Sequence, residues 1–307
     1  VAICDQVEDP RFAKTLVKRE ITRVVTPGTA TESALLRSHE NNYLAAVAGQ
    51  GGRAGMAHVD VSTGEFRATE LDVADLVPAL ENLNVREVLV AEGAPAVPGV
   101  RTELEGWVFT FDYAERTLKD HFKLLSLDGC GLAGRALAVA AAGAILHYLR
   151  DTQKSALDHL DHPTFYDRAG AMVLDAVTVR NLELVETLFA GESRESTLIH
   201  VLDQTATGMG GRLLRRRLLG PSLDLAEIDG RLDGVEQMLR GTIARAGMRK
   251  VLASILDLER LLAKVTIGSA TPRELRALGL SLDRIPALRE ALPDDLCAHL
   301  AGIAQEL

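Results

Sequence analysis

The sequence predicts an α/β domain in the first half of the chain and an all-helical domain in the second half. Short runs rich in β-branched residues alternate with helical segments up to about Arg150. From about Gln153 the strand signals nearly vanish, and apolar residues recur at the spacing of amphipathic helices. The length of 307 residues and the hydrophobic content of 47% suit two domains that each bury a core.

The strands and helices of the first half are marked by turn and cap residues as well as by composition. Pro27-Gly28 ends the first strand, and Ser62-Thr63-Gly64 is a tight hairpin signal between two later strands. Asp112 is predicted to be the N-cap of the second helix. The predicted strands are 18–26, 43–48, 55–61, 65–70, 87–90 and 108–111, and the predicted helices are 73–83, 113–125 and 132–150.

The second half reads as consecutive helices. Gly220-Pro221 is a clear stop, and Thr271-Pro272 with Glu274 is a helix start. The last helix runs to Leu307, and the chain opens without Met, so we expect a piece of a longer protein. The predicted helices are 176–189, 198–204, 211–219, 224–240, 244–255, 257–264, one from 271, 282–292 and 293–307.

Composition excludes several classes of protein. The net charge of −9 argues against a surface that grips phosphates throughout, and the aromatic content of 4% argues against a base-stacking single-strand binder. The three cysteines are far apart and form no CxxC pair, which excludes a zinc ribbon. The sequence has no signal peptide, and its longest apolar run, 136–146, is too short to span a bilayer. We therefore expect a cytoplasmic protein.

Two nucleotide-binding patterns can be judged from the sequence. A Walker-type P-loop needs a Gly-Lys pair, and none occurs in this chain, so a Walker ATPase site is excluded within these residues. The segment 129–134 matches GxGxxG and is followed by Asp151, but no good strand leads into it. We interpret the segment as a glycine-rich turn before a helix.

Asp60 is the strongest candidate for metal chemistry. It lies at a strand end before a hairpin, where RNase H-like nucleases place an acidic residue, and Glu87 and Asp112 could be its companions. The alternative, which we favour, is a turn-forming Asp. The segment 158–162 also carries metal-capable side chains, but Pro163 follows at once and indicates a linker.

A cluster of arginines is predicted on one helix of the second half. Such a cluster can contact phosphate, a neighbouring domain or nearby acidic side chains. Consecutive residues point around a helix, so only part of the cluster can face one partner. A stand-alone DNA-binding module therefore remains one hypothesis, which the net charge disfavours. The cluster consists of Arg212, Arg215, Arg216 and Arg217.

Several segments, in order along the whole chain, resemble the family of the bacterial DNA mismatch repair protein MutS. The most specific match is 174–184, LDAVTVRNLEL, which is similar to the start of the family's core domain. The segment 60–66, DVSTGEF, resembles the hairpin of its connector domain. The other matching segments are 1–10, 24–29, 202–203, 209–210 with Arg212 and Pro221, 257–261 and 272–275.

The resemblance implies a domain organisation. Residues 1–16 would be the tail of the mismatch-binding domain, 17–155 an RNase H-like connector, and 156–307 the first part of the helical core and lever. The family's Phe-x-Glu wedge would lie before Val1, and its clamp and ATPase domains after Leu307. No catalytic, cofactor or metal residue is then expected in this chain, and ATP and Mg would belong to the full-length protein. Arg217 stands where relatives often carry Trp.

The resemblance also implies a function. The full-length protein would be a homodimer that binds mismatched duplex DNA and recruits MutL, whereas this chain alone would be a monomer that does not touch a membrane. Its role would be mechanical: to couple DNA binding to the ATPase. A docking surface for MutL would include Asp112, Arg116 and Thr117, while Arg212, Arg215 and Arg216 could contact DNA or another domain. The alternative is a metal-dependent nuclease that uses Asp60.

Overall fold

The computed structural model of the protein describes residues 1–6, 8, 16–189 and 191–307. The chain forms two compact units. The α/β unit comprises Val1–Leu36, Asn42–Asp167 and Thr266–Gly268, and the helical unit comprises the remainder, including Arg37–Asn41. An α/β region followed by a helical region is therefore confirmed. The predicted boundaries at 16 and 155 stay a prediction, and residues 7 and 9–15 of the first predicted segment lie outside the described residues.

The α/β unit contains a six-stranded mixed sheet and a separate two-stranded ribbon. In the sheet the strand order is β7-β6-β3-β4-β5-β8; β3, β4 and β5 are antiparallel neighbours, whereas β6 runs parallel to β3 and β7. The ribbon pairs β1 with β2 in antiparallel register. The strands are β1 Ala2–Gln6, β2 Arg19–Val24, β3 Tyr43–Gln50, β4 Arg53–Asp60, β5 Phe66–Asp72, β6 Glu87–Ala91, β7 Val100–Leu104 and β8 Thr164–Phe165.

Three helices cover the two faces of the sheet: α1 Val73–Asn82, α2 Phe111–Phe122 and α3 Ala136–Gln153. Side chains of a strand alternate between faces. In β3, Leu44 therefore enters the core beneath α2 and α3, and Ala45 enters the core beneath α1. The alanine-rich centre of α3 is fully buried, which explains its uninterrupted apolar run.

Small residues let α3 approach its neighbours closely. A Cβ added to Gly55 of β4 would lie 2.1 Å from the backbone of Leu137. A Cβ added to Gly143 of α3 would lie 2.4 Å from Cβ of Ala114 in α2. Both distances are shorter than any normal contact, so only glycine fits these two crossings.

The structure differs from the predicted strands in two places near the edge of the sheet. The predicted strand 108–111 is a 3-10 helix over Gly106–Phe109 followed by the start of α2, because Val108 reaches the core within a single helical turn. The strand β7 was not predicted. It is an edge strand whose alternate residues include Arg101 and Glu103, so its apolar signal is weak.

The helical unit begins with a shorter helix than predicted. The expected helix 176–189 ends at Asn181, because Glu183 adopts a positive φ of 47° and the chain turns to bury Leu184 and Val185. The helices are α4 Ala176–Asn181, α5 Leu198–Leu202, α6 Gly208–Leu219, α7 Leu225–Arg240, α8 Thr242–Leu252, α9 Leu258–Ile267, α10 Pro272–Leu282, α11 Ile285–Glu290 and α12 Ala298–Glu306. Among the described residues, no helix is long and apolar enough to cross a membrane.

Polar residues fix the first residue of several helices in the helical unit. Asp175 accepts a hydrogen bond from the Thr178 amide at the start of α4. The predicted helix start at Thr271-Pro272 is confirmed, and Thr271 and Glu274 form a reciprocal capping box there at the start of α10. Each cap satisfies amide groups that have no partner inside the helix.

Candidate functional site

Helix α2 presents two of the three residues expected to form a docking surface. Thr110, not Asp112, is the N-cap residue, and Asp112 lies in the first turn. This corrects the predicted cap. Asp112 and Arg116 are exposed and four residues apart, so their side chains are neighbours on one helix face. We call these two residues the α2 surface.

Thr117 does not belong to the α2 surface. It is 4% exposed and lies with Ala114 and Leu118 on the face of α2 that is buried in the unit. The Arg150 guanidinium donates to the Thr117 carbonyl at 3.5 Å. The expectation that Thr117 is available to a partner is therefore wrong, because helical geometry turns residue 117 away from residues 112 and 116.

An aromatic group beside α2 was missed by sequence reasoning. Trp107 is 48% exposed, and its ring meets the rings of Tyr113 and His147 edge-on at centroid distances of 4.8 and 5.4 Å. The Tyr113 hydroxyl lies 2.7 Å from Nδ1 of His147, and Asp151 Oδ2 lies 3.6 Å from Nε2. This group could not be predicted while 108–111 was predicted as a strand, because a strand there would not place Trp107 next to α3.

Asp60 is a structural acceptor at the end of β4. Its side chain is 0% exposed. One carboxylate oxygen accepts from the Ser62 amide at 2.9 Å and the Ser62 hydroxyl at 2.6 Å, and the other accepts from the Asn42 amide at 3.1 Å. These bonds hold the β4–β5 hairpin, which is the turn-forming role that the sequence favoured.

The expected companions of Asp60 serve other contacts. Glu87 is buried and accepts from the Gly28 amide at 3.0 Å, the Thr102 hydroxyl at 2.8 Å and the Tyr148 hydroxyl at 2.7 Å. Burial, together with the Glu87 carboxylate, raises the pKa of Tyr148 to about 12. Asp112 is exposed on α2. In the described part of the chain, His, Cys, Asp and Glu form no group of three that could hold a metal ion.

The GxGxxG segment forms a turn, as the sequence suggested. A 3-10 helix, Asp128–Cys130, overlaps its first two residues, where a dinucleotide site would have the end of a strand. At the start of α3, where a pyrophosphate would bind in a dinucleotide site, the Glu70 carboxylate accepts from the Leu137 amide at 3.0 Å and the Ala138 amide at 3.2 Å. A protein carboxylate therefore occupies the anion position of this helix.

The segment 158–162 is packed against the same hairpin as Asp60. His159 lies with Nε2 3.0 Å from the Val61 carbonyl, and the Asp161 amide donates to the Gly64 carbonyl at 2.9 Å. Burial lowers the pKa of His159 below its ordinary value. The segment is therefore not a solvated linker at His159, since the Val61 carbonyl in the hairpin that follows β4 fixes its ring.

Arg212 is buried inside the helical unit. Its side chain is 4% exposed, and its two terminal nitrogens donate to both oxygens of Asp257 at 2.7 and 2.9 Å. Glu259 and the Ser38 carbonyl are further acceptors. Although burial opposes the charge, the two carboxylates raise the pKa of Arg212. Of the alternatives that the sequence left open for Arg212, the structure shows pairing with acidic side chains of the same unit. A contact of Arg212 with DNA or another domain stays a prediction that its burial disfavours.

The other arginines of the cluster differ in exposure. Arg216 is exposed, and Arg215 is half-buried. Burial acts to raise the pKa of Glu40, but the hydrogen bond from Arg37 and the charges of Arg215 and Arg194 lower it overall. Arg215 thus lies close to an acidic side chain of its own unit, whereas the prediction of a partner contact by Arg216 stays a prediction.

The segment Arg37–Asn41 is held on the helical unit by several of these groups, although the sequence assigned it to the connector. Arg260 donates to the Arg37 carbonyl at 3.0 Å and the Glu40 carbonyl at 2.7 Å. His39 Nδ1 lies 2.6 Å from the Asp203 carboxylate. Sequence reasoning could not find these contacts, because the partners are more than 160 residues apart.

Comparison with known proteins finds three family models in succession along the chain. MutS domain I matches residues 1–34, MutS domain II matches 42–161, and MutS domain III matches 177–306. The three matches follow one another without overlap and together cover most of the chain.

Curated relatives agree with these matches over the full length of the chain. A DNA mismatch repair protein MutS from Solibacter usitatus is 62% identical, with 100% of this chain and 37% of the relative aligned. The proteins of the same name from Symbiobacterium thermophilum and Chlorobaculum parvum are 42% and 41% identical, with 37% and 36% of each relative aligned. The chain thus spans a little over a third of the length of the curated relatives it matches.

Proposed function

The chain belongs to the MutS family of DNA mismatch repair proteins, and on this premise we propose that it is the non-catalytic connector and core segment of a mismatch-recognition ATPase. Its role is to couple mismatched-DNA binding to the state of an ATPase domain elsewhere in the protein. The observation that carries the proposal is the unbroken order of family domains I, II and III along one chain. Long packed helices suit such coupling because they move as rigid bodies.

The α/β unit is proposed to be an RNase H-like connector. Support comes from its sheet, in which three antiparallel strands, β3 to β5, are extended by two parallel strands, β6 and β7. A fold of this type is shared by enzymes and non-enzymes. Whether the domain is catalytic must therefore be judged from the residues of the candidate site. Both oxygens of Asp60 already accept bonds from Asn42 and Ser62. Because both carboxylate oxygens of Asp60 serve as acceptors within the protein, this residue favours a structural role for the domain and gives no support to the nuclease alternative.

The α2 surface is proposed to dock MutL. Asp112 and Arg116 are exposed and adjacent, so together they offer a charge of each sign to a partner. Trp107, on the neighbouring 3-10 helix, adds half-exposed aromatic area of the kind that anchors protein interfaces.

The remaining expectations concern the longer protein. We propose that mismatched duplex DNA and MutL are its partners, that it is a homodimer, and that ATP and Mg bind outside this chain. The cytoplasmic location and the monomeric state of this chain alone stay predictions.

The non-catalytic role is tested by assaying the chain with Mg²⁺ for duplex cleavage on a denaturing gel and for ATP hydrolysis. Both activities are expected to equal those of a buffer control. Cleavage that disappears in Asp60→Asn but persists in Asp72→Asn, an exposed carboxylate of the next strand, would contradict the proposal. ATP hydrolysis by the purified chain would contradict it as well.

A further inference from the structure

The ribbon formed by β1 and β2 has little apolar packing to hold it in place. All five residues of β1 are exposed, and so are the first three residues of β2. A two-stranded ribbon is only marginally stable by itself. The orientation of this ribbon relative to the rest of the α/β unit must therefore be fixed by specific polar contacts.

The C-terminal end of α3 supplies those contacts. Gln153 donates from Nε2 to the Val24 carbonyl at 3.2 Å, and its Oε1 accepts from Nε of Arg23 at 2.8 Å. Lys154, the cap residue of α3, donates from Nζ to the Ile21 carbonyl at 2.9 Å. The end of α3 thus contacts three polar groups of β2, which are the Ile21 carbonyl, the Arg23 side chain and the Val24 carbonyl.

Arg23 also ties the ribbon to the loop that follows it. Its terminal nitrogens donate to Glu32 at 2.9 Å and to the Thr31 hydroxyl at 2.8 Å, and reach the Thr29 carbonyl at 3.4 Å. The side chain is 17% exposed. Because a guanidinium presents its donors in a rigid planar fork, these bonds fix Arg23 in one orientation between the loop and α3.

By the bounds of the family matches, in which domain I extends to residue 34 and not to the predicted residue 16, the two partners of this contact belong to different family domains. Arg23 lies in the segment that matches MutS domain I, and Gln153 lies in the segment that matches MutS domain II. Both residues are in the same compact unit. We propose that the Arg23–Gln153 pair is a joint that sets the orientation of the domain I segment relative to the connector, and that Arg23 is a positioning residue for coupling between them. The coupling role rests on the proposed function.

The orientation of the ribbon can be measured directly with two spin labels and pulsed dipolar spectroscopy. One label is placed at the far end of the ribbon through Arg19→Cys, and the other on α1 through Asp75→Cys, because both positions are exposed. The native cysteines are replaced in the background by Cys4→Ser, Cys130→Ala and Cys297→Ser.

Three variants are compared in this background. Arg23→Met and Gln153→Leu each remove the polar groups of the contact and leave an apolar side chain, and Arg53→Met removes an exposed ion pair with Asp72 as the matched control. We expect the distance distribution to broaden or shift by several ångströms in both test variants and to stay unchanged in the control. The double variant should be no broader than the broader single variant, because both changes act on one contact. An unchanged distribution in the folded single variants would overturn the joint.

A second readout addresses coupling in the full-length protein. Arg23→Met should leave the affinity for a G·T-mismatched duplex unchanged, but it should reduce the difference in ATP hydrolysis between mismatched and matched duplexes. A full response to the mismatch in this variant would overturn the positioning role of Arg23. If the unsubstituted full-length protein showed no response to a mismatch, the proposed function would fail, while the label distances would still decide whether the joint exists.

Discussion

The guanidinium of Arg212 and the carboxylate of Asp257 form a two-point ion pair, with nitrogen–oxygen distances of 2.7 and 2.9 Å, inside the helical unit. The same guanidinium donates to the Ser38 carbonyl at 2.9 Å. Because Arg212 joins the N-terminal part of α6 to the start of α9 and to the segment Arg37–Asn41, one side chain connects three parts of the unit that are distant in sequence. We therefore regard the pair as a main determinant of the unit's stability.

Removing Arg212 should destabilise the helical unit strongly. Arg212→Met leaves Asp257 half-buried without its partner, and breaking such a pair costs about 3 kcal/mol. Urea unfolding followed by circular dichroism measures the loss. Arg240→Met, which removes an exposed ion pair with Glu236, is the matched control and should change stability by less than about 0.5 kcal/mol. Equal effects of the two substitutions would contradict the assignment.

The crossing of α2 and α3 should not tolerate a methyl group. Gly143→Ala would place Cβ 2.4 Å from Cβ of Ala114, and overpacking of this kind costs about 1–3 kcal/mol. Gly279→Ala in α10 is the control, because its Cβ meets nothing within 4 Å and a helix gains up to about 1 kcal/mol from this change. Thermal unfolding should therefore move in opposite directions for the two variants. A stabilised Gly143→Ala would refute the close crossing.

The capping box of α10 should make stability depend on pH in the acid range. The hydrogen bond from Lys264, with those from Thr271, lowers the pKa of Glu274 from 4.5 to about 2. Since the pKa is lower in the folded state, this contribution is fully present above pH 4.5 and is lost as the pH falls toward 2. Glu274→Gln should cost about 1 kcal/mol at pH 7 and progressively less below pH 4.5.

Urea unfolding of the parent and Glu274→Gln at several pH values tests this dependence. A difference in stability that stays constant from pH 7 to pH 2 would show that ionised Glu274 does not support the cap. Glu290→Gln, at the end of α11, serves as a control for general changes in charge.

Charge reversal on the α2 surface should weaken MutL recruitment by the full-length protein. Arg116→Glu removes an exposed positive charge without touching the buried face of α2, so the fold should be preserved. Binding to immobilised MutL should fall at least about tenfold if the charge meets an acidic partner at close range. Lys123→Glu, at the C-terminal end of the same helix, is the control. Equal binding by Arg116→Glu and the parent would reject the α2 surface as the docking site.

The local pattern of apolar and turn residues was sufficient to predict the central strands and helices of the α/β unit. The strands β3 to β6 and the helices α1 to α3 were found because their apolar residues repeat at strand or helix spacing and their ends carry turn residues. The edge strand β7 and the 3-10 helix beside α2 were not predicted correctly. A polar edge strand has a weak apolar pattern, and a short apolar run is compatible with more than one secondary structure.

The site residues depended more on tertiary contacts than on local sequence. Ala114, Leu118 and Phe122 recur at helix spacing and mark the buried face of α2, so the sequence already places Thr117 beside that face. The acidic partners of Arg212, in contrast, lie 45 and 47 residues away. Asp60 was predicted as a turn residue because its Ser62 donor is only two positions distant. Sequence therefore located the local acceptor, whereas the ion-pair cluster and the Arg23–Gln153 contact required the structure.

The central claim, that the chain couples other parts of a mismatch-repair protein without reading or cutting DNA itself, is tested most directly by a duplex titration. Labelled matched and G·T-mismatched duplexes are titrated with the chain in Mg²⁺ at two salt concentrations. We expect the same weak, salt-sensitive binding to both duplexes. A clear preference for the mismatched duplex would contradict it, because mismatch recognition would then reside within these 307 residues.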